Sequence, residues 1–333
     1  MLSLHDAWTW DFWLADTGHE YHAFFLRASR ALSNPDARHF RASVGHAVSK
    51  DLRRWKLLPD ALVRSEHPGF DDIATWTGSV VQGPDGVWHN YYTGISTEES
   101  GLVQRIGMAT STDLIRWERR PDFTILSADP RWYEKLGQSS WGNEAWRDPY
   151  VFPDPDNNGW HMFVTARAQT GIDDDRGVVG HLHSDDLITW TTLPPLSLPG
   201  AGFGVVEVPQ VAVIDGKAVL LFSCGYPDLA ASKRDTGERG GIWAVVADNP
   251  LGPFDLTQAY LLTNSSLYAG RLAQDRMGNP VLLAFHNYDK SGLFVGGMSD
   301  PLPLKWDIGG HLVLAARSRS FGPCSARQLA MAG

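Results

Sequence analysis

The stretch Ser49-Lys50-Asp51-Leu52-Arg53-Arg54-Trp55 returns as Ser111-Thr112-Asp113-Leu114-Ile115-Arg116-Trp117 and again as Ser184-Asp185-Asp186-Leu187-Ile188-Thr189-Trp190. Weaker copies follow at Ala247-Asp248-Asn249-Pro250-Leu251 and at Ser299-Asp300-Pro301-Leu302, the last reaching Trp306. A phrase restated from residues 49, 111, 184, 247 and 299 marks an array of one supersecondary unit. Such self-similarity outranks any local propensity.

Working outward, each copy is preceded by a short alternating segment, at 44–49, 106–111, 179–184, 241–247 and 294–299. Before that comes a denser apolar run, at 21–26, 88–93, 160–165, 218–223 and 280–285. Both types carry the β-branched and aromatic residues, and the Gly or Asp borders, of strands joined by turns. Residues after the Trp, such as Lys56-Leu57-Leu58 and Thr191-Thr192-Leu193, supply an outer strand. Segments 8–14, 77–82, 147–152, 205–213 and 267–273 supply an inner one. Four antiparallel strands repeated five times predict an all-β chain folded as a five-bladed β-propeller. A β-sandwich would not need five copies in phase. The propeller is expected to fill residues 1–315 as a single domain, with 316–333 a C-terminal tail expected to be disordered.

Composition narrows the function. The 333 residues hold 14 Trp and 33 Gly, which suits aromatic blade packing and tight turns. A net charge of −9 argues against a nucleic-acid partner, which would need a basic stripe. Cys224 and Cys324 sit too far apart to suggest a disulfide framework, and a metal site needs more ligands, so no metal is expected. The first residues carry neither a basic start nor an apolar run, and no segment reaches membrane-spanning length. A cytoplasmic protein with no membrane partner is the expectation. Residues 129–136 read as a short helix, and 96–104, 127–143 and 226–240 as loops able to wall a pocket.

The inner strand of a propeller blade faces the central channel, so acids there converge from different blades. Asp11, Asp148 and Glu207 lie at nearly equal distances ahead of their phrases, which predicts equivalent innermost positions in blades 1, 3 and 4. Each is set among apolar or aromatic neighbours: Trp10-Asp11-Phe12, Asp148-Pro149-Tyr150 and Val206-Glu207-Val208. A carboxylate in such company is costly unless paired, hydrogen-bonded or used. Three converging acids beneath a rim of Trp point to glycoside chemistry, which needs a proton donor and a second carboxylate. Trp8, Trp10, Trp13, Trp76, Trp141 and Trp146 lie near these strands and offer faces for a sugar ring, although each alone also suits blade packing. The expected ligand is an oligosaccharide. His46, His181 and Asp72 are nearby polar groups; the two His fall on third strands and read as packing.

At this point the sequence resembles the five-bladed propeller glycosidases, most closely the β-fructosidases of glycoside hydrolase family 32, whose clan includes family 68. Trp8-Thr9-Trp10-Asp11, with Tyr21-His22-Ala23-Phe24-Phe25, is similar to the family's Trp-Met-Asn-Asp-Pro-Asn-Gly and Tyr-His-Leu-Phe-Tyr. Trp76-Thr77-Gly78-Ser79 resembles Trp-Ser-Gly-Ser, Arg147-Asp148-Pro149 matches Arg-Asp-Pro, and Glu207-Val208-Pro209 stands for Glu-Cys-Pro. The departures are Trp10, Phe12-Trp13 and Leu26, which replace polar groups of the family pattern, and the lack of sequence for a β-sandwich after the fifth blade. The resemblance implies a retaining fructosidase or fructosyltransferase with Asp11 as nucleophile and Glu207 as acid/base. It implies Asp148 as transition-state stabiliser, oriented by Arg147 and held charged by it. Trp8, Trp10, Trp76, Thr77, Ser79 and Arg147 would bind substrate, and no organic cofactor is implied either. The alternatives are an inverting arabinofuranosidase or xylosidase of the family 43 type, and a non-catalytic propeller binding module.

Overall fold

The computed structural model describes residues 1–315; the proposed tail at 316–333, with Cys324, lies outside the described residues. Twenty strands form five four-stranded antiparallel sheets, each running in sequence order from the channel outward. Blade 1 is β1 (Ala7–Asp16), β2 (Tyr21–Ser29), β3 (Ser43–Ser49) and β4 (Lys56–Leu62). Blade 2 is β5 (Ala74–Gln82), β6 (Trp88–Ile95), β7 (Gln104–Ser111) and β8 (Glu118–Arg119). Blade 3 is β9 (Trp146–Pro153), β10 (Trp160–Arg167), β11 (Gly177–Ser184) and β12 (Thr191–Leu193). Blade 4 is β13 (Glu207–Ile214), β14 (Lys217–Cys224), β15 (Gly241–Ala247) and β16 (Tyr260–Asn264). Blade 5 is β17 (Leu267–Gln274), β18 (Pro280–His286), β19 (Leu302–Trp306) and β20 (Leu312–Leu314). The inner strands β1, β5, β9, β13 and β17 follow one another around the channel, and β17 returns to β1. The predicted five-bladed propeller is the fold.

The repeated phrase owes its form to one turn. In blade 1 the Ser49 hydroxyl accepts the Asp51 N–H at 3.1 Å, and Asp51 Oδ1 accepts the N–H groups of Arg53 and Arg54 at 2.9 and 2.8 Å. Asp113 and Asp186 repeat this, each receiving two backbone N–H groups within 2.8 Å. The next residue is left-handed in each copy, with φ of 58° at Leu52, 63° at Leu114 and 65° at Leu187. A leucine bears this strain because the turn drops its side chain into the core: all three are buried. Ser and Asp build the turn, and Leu anchors it between blades.

Two expectations need correction. In blade 5 the fourth-to-fifth echo does not end a third strand. The segment 294–299 runs beside β18 through isolated bridges, Phe294 to Tyr288 and Met298 to Phe285, and the regular strand Leu302–Trp306 starts on the phrase's own Leu302. Leu2 and Met298 exchange both backbone hydrogen bonds, at 3.1 and 2.8 Å, so the chain's start lies beside this segment on the side away from β18, where a fourth strand would run. The helix predicted at 129–136 is a turn. Asp129 Oδ1 accepts the Arg131 N–H at 2.9 Å, and Tyr133 is drawn into a bridge with Ala168, which ends any helical run.

Five apolar clusters fill the fold. One joins Tyr91, Met108 and Trp146 to Met162 and Leu187; another joins Phe163 to Phe203, Phe222 and Trp243. Burial of this kind contributes roughly 25 cal/mol per Å² of apolar surface, so these layers are a main force holding the inner strands around the channel. Among the described residues no helix is long and apolar enough to cross a membrane.

Candidate active site

Every inner strand is interrupted at the same level by a β-bulge. The register breaks between Trp10 and Phe12, Trp76 and Gly78, Arg147 and Tyr150, Glu207 and Gln210, and Tyr268 and Arg271. Bulges re-aim side chains, and here they turn the strand toward one mouth of the channel. In blades 3, 4 and 5 the first bulged residue is left-handed although it is not glycine: φ is 56° at Asp148, 53° at Val208 and 46° at Ala269. The strain is held by a hydroxyl on the second strand of the preceding blade. Buried Thr93, Thr165 and Ser223 accept the N–H groups of Asp148, Val208 and Ala269 at 3.0, 3.1 and 3.0 Å.

This register corrects the expected equivalence of the acids. Asp11 is the extra residue of its bulge, Asp148 is the first of two, and Glu207 precedes its bulge, opposite Ser223. Glu207 therefore shares a level with Arg147 and Tyr268, and Val208 takes the place equivalent to Asp148. Sequence spacing could not resolve this one-residue offset because the connections between strands differ in length from blade to blade.

All three acids nevertheless line one cavity of about 490 Å³, together with Trp10, Trp76, Thr77 and Arg147. Asp11 receives the Thr77 hydroxyl on Oδ2 at 2.7 Å. Burial, with the Asp148 carboxylate facing it, pushes the Asp11 carboxyl up to about 7, against the pull of Thr77. Asp148 receives the Thr165 hydroxyl on Oδ2 at 2.7 Å. Arg147 spans the other two acids, with Nη2 2.6 Å from Glu207 Oε1 and Nε 3.4 Å from Asp148 Oδ2. Arg147 pulls the Asp148 carboxyl down as expected, but the net direction is upward. Burial raises it, and the arginine, spent mainly on Glu207, only opposes that rise.

Trp8 and Ser79 do not line the cavity. Trp8 is buried under the Arg30 guanidinium at 5.5 Å, and the Ser79 hydroxyl accepts the Val151 N–H at 3.0 Å, tying blade 2 to blade 3. Trp13 and Trp146 are buried in the core, and Trp141 stacks on Arg167 at 4.0 Å. His46 and His181 are inter-strand packing as expected, hydrogen-bonded to His22 and His161 at 2.9 and 2.8 Å. Asp72 accepts the Thr97 N–H at 2.7 Å, away from the cavity.

The cavity also holds groups that the sequence did not single out. Tyr268 donates its hydroxyl to Glu207 Oε2, and burial beside that carboxylate keeps the phenol protonated. Gln104 Oε1 accepts from Arg147 Nη1 at 2.9 Å and sets its plane. Asp228, from the turn Tyr226–Asp228, lines the mouth, and burial beside Glu207 pushes its carboxyl up to about 6. His39 crosses Trp10 and Trp76 edge-on at 5.8 and 6.4 Å and takes the Trp76 Nε1–H on its carbonyl at 2.7 Å. Burial, aided by Arg38, lowers its imidazole to about 4, so it stands neutral. Gln104 and Asp228 lie in segments 96–104 and 226–240, which the sequence offered as pocket walls, and Tyr268 repeats the level of Glu207 in the next blade.

The family description "Glycosyl hydrolases family 32 N-terminal domain" matches residues 14–293, a span that includes Asp148 and Glu207 and begins just after Asp11. An insoluble-isoenzyme β-fructofuranosidase of Arabidopsis thaliana is 28% identical over 192 residues, which is 57% of this chain and 32% of that protein. A levanase of a Bacillus species is 34% identical over 230 residues, 62% of this chain and 23% of that protein. The matched parts thus span a third or less of these relatives. Among solved structures, an inulosucrase from Halalkalicoccus jeotgali bound to kestose superposes with a TM-score of 0.74 at 21% identity, over 94% of this chain and 90% of that one. Bacillus subtilis levansucrase superposes with a TM-score of 0.73 at 16% identity, over 94% and 87%. At such identities the superpositions establish the fold, and the family match, which covers most of the chain, establishes descent: the chain belongs to glycosyl hydrolase family 32.

Proposed function

We propose that the protein acts on fructofuranosyl linkages by a retaining double displacement, passing the fructosyl unit to water or to a second sugar. The observation that carries this reading is the convergence of Asp11, Asp148 and Glu207, from three blades, on one cavity with an arginine between two of them. Asp11, ionised, attacks the anomeric carbon; Thr77 holds Oδ2 and leaves the other oxygen for attack. Glu207 protonates the leaving oxygen and then takes a proton from the incoming acceptor. Asp148 meets the ring hydroxyls and the positive charge that develops on the sugar. Tyr268 and Arg147 fix the Glu207 carboxyl from two sides. Trp10 and Trp76, braced by neutral His39, give the ring an apolar wall. Loops from blades 4 and 5, bearing Tyr226, Asp228 and Asn287, face the acceptor.

The relatives named as β-fructofuranosidase and levanase support the fructosyl assignment. The test is a panel of sucrose, fructo-oligosaccharides, levan and nitrophenyl glycosides, with products followed by NMR. Fructose or fructosyl transfer products with retained configuration are expected. Turnover of arabinosides or xylosides alone, or inverted products, would replace this reading, and an inert protein that binds sugar would make it a binding module.

A further inference from the structure

Arg271 stands on the inner strand of blade 5, just past the bulge, and is 3% exposed. It does not border the substrate cavity. It borders a second cavity of about 310 Å³, shared with Trp13, Tyr21, Tyr150 and Gln210. Its Nε donates to the carbonyl of Phe12 at 3.0 Å, and Phe12 is the residue after Asp11. Neither Nη1 nor Nη2 has a hydrogen-bond partner, and no carboxylate among the described residues lies within 4 Å of the guanidinium. A buried guanidinium with two idle nitrogens is costly unless its charge is used over a longer distance. A clamp on one carbonyl would need a single N–H, not a cation.

The charge has a use. Asp148 from blade 3 faces Asp11 from blade 1 and makes it harder to ionise, while burial and the Glu207 carboxylate do the same to Asp148. The nearest other cation, Arg147, makes its short contact with Glu207 of blade 4. The charged and titratable groups that the Arg271 guanidinium faces are Asp148, Asp11 and Tyr150. Those facing Asp11 are Asp148, Glu207 and Arg271.

We propose that Arg271 is a positioning residue, which fixes the bulge carrying Asp11 through the Phe12 carbonyl and sets its unpaired positive charge behind Asp11 and Asp148, where it eases the ionisation of both. It acts from the side opposite the sugar and never touches it. The two functions separate chemically. Arg271→Gln keeps a donor for Phe12 and removes the charge, whereas Arg271→Lys keeps the charge. The inference rests on Asp11 being the nucleophile, so its test is read without turnover, by titrating the Asp11 side chain with carboxyl-selective 13C NMR.

In Arg271→Gln the Asp11 midpoint should rise by about one pH unit or more, and in Arg271→Lys it should stay near that of the unmutated protein. In the unmutated protein the Arg271 Nε–H resonance should shift with the same midpoint as Asp11. The second measurement holds even where Arg271→Gln does not fold, as thermal melting would tell. An unmoved Asp11 midpoint in folded Arg271→Gln, or an Arg271 resonance flat across the Asp11 titration, would overturn the proposal. Unmutated protein inert on every fructoside would instead count against the proposed activity, while the titrations would still be decided.

Discussion

Arg147 Nη2 stands 2.6 Å from Glu207 Oε1, a shorter contact than the one it makes with Asp148, its own neighbour in the chain. The bulge at Asp148 is responsible: it turns the aspartate away along the channel and leaves the arginine level with the glutamate of the next blade. Gln104 then fixes the guanidinium from behind at 2.9 Å. A planar fork that serves two carboxylates and a glutamine has no ammonium equivalent. Arg147→Lys should therefore leave the melting temperature close to that of the unmutated protein and lower kcat/KM on fructosides by roughly 100- to 1,000-fold, the usual loss when one preorganised donor is removed. Kinetics alongside thermal melting checks this, and a loss below about tenfold would mean that Glu207 does not depend on the arginine.

Asp11 carries a pH signature of its own. Its carboxyl is raised to about 7 by burial and by Asp148, so between its ordinary value of 3.8 and about 7 the folded protein binds a proton that the unfolded chain has lost. Stability from this group is complete below the ordinary value and is lost as pH rises through the raised one. Asp11→Asn removes that penalty and keeps an oxygen to accept from Thr77. The variant should be inactive, and its melting temperature should exceed that of the unmutated protein by a margin that grows from about pH 4 to about pH 7 and then levels. Melting curves across that range decide it. In the active protein the acid limb of kcat/KM should sit well above 3.8, toward about 7; a limb at or below pH 4 would remove Asp11 as the group that must ionise.

The fold was legible because one turn is spelled the same way in each of the first three blades. Ser49, Asp51 and Leu52 each answer a local demand, a hydroxyl for one N–H, a carboxylate for two more, and a side chain to bury from a left-handed backbone. Local demands leave local traces. Asp11, Asp148 and Glu207 were legible for a related reason, since acids among aromatic residues on inner strands have few structural excuses. What spacing could not carry was the level of each acid, since connections of unequal length hide that Glu207 stands one position off Asp148 on strands with matching bulges. Nor could it carry the placement of Asp228, His39 and Arg271, which come near the acids from a turn, an insertion and the neighbouring blade by tertiary packing alone. Trp8 and Ser79 were misassigned because a residue near a motif on a strand faces away from the cavity as often as into it.

Thr165 couples two blades through one oxygen. Its hydroxyl donates to Asp148 Oδ2 at 2.7 Å and accepts the Val208 N–H at 3.1 Å, the backbone next to Glu207. Thr165→Val keeps the shape but removes the shorter hydrogen bond of both groups, leaving the Val208 N–H and Arg147 Nε at 3.4 Å from Asp148 Oδ2 as the remaining contacts, a loss of about 1–3 kcal/mol. The melting temperature and kcat should fall together, and Thr165→Ser should recover most of both. If valine lowered stability with kcat unchanged, the hydroxyl would be a brace for the bulge and not a link between Asp148 and Glu207.

Glu207 permits the sharpest division between mechanisms. In a retaining reaction it serves first as acid, toward the leaving oxygen, and then as base, toward the acceptor. Glu207→Ala removes both functions, and the two losses have different remedies. An activated aryl leaving group needs little protonation, so aryl fructosides should suffer far less than sucrose in the first step. The second step is then limiting, because water at the Asp11-bound sugar has lost its base. Azide needs none and is small enough for the space the glutamate vacates. Adding it should raise turnover of the aryl fructoside and yield a fructosyl azide with the configuration of the substrate. Arg147 and Tyr268, freed of their carboxylate partner, supply an N–H cation and a hydroxyl toward the same space, which favours an anion there. An azide product of inverted configuration would mean that azide had attacked the substrate directly, with no covalent intermediate on Asp11. The assignment of Asp11 as nucleophile would then fall, and the acids would have to be reassigned around an activated water.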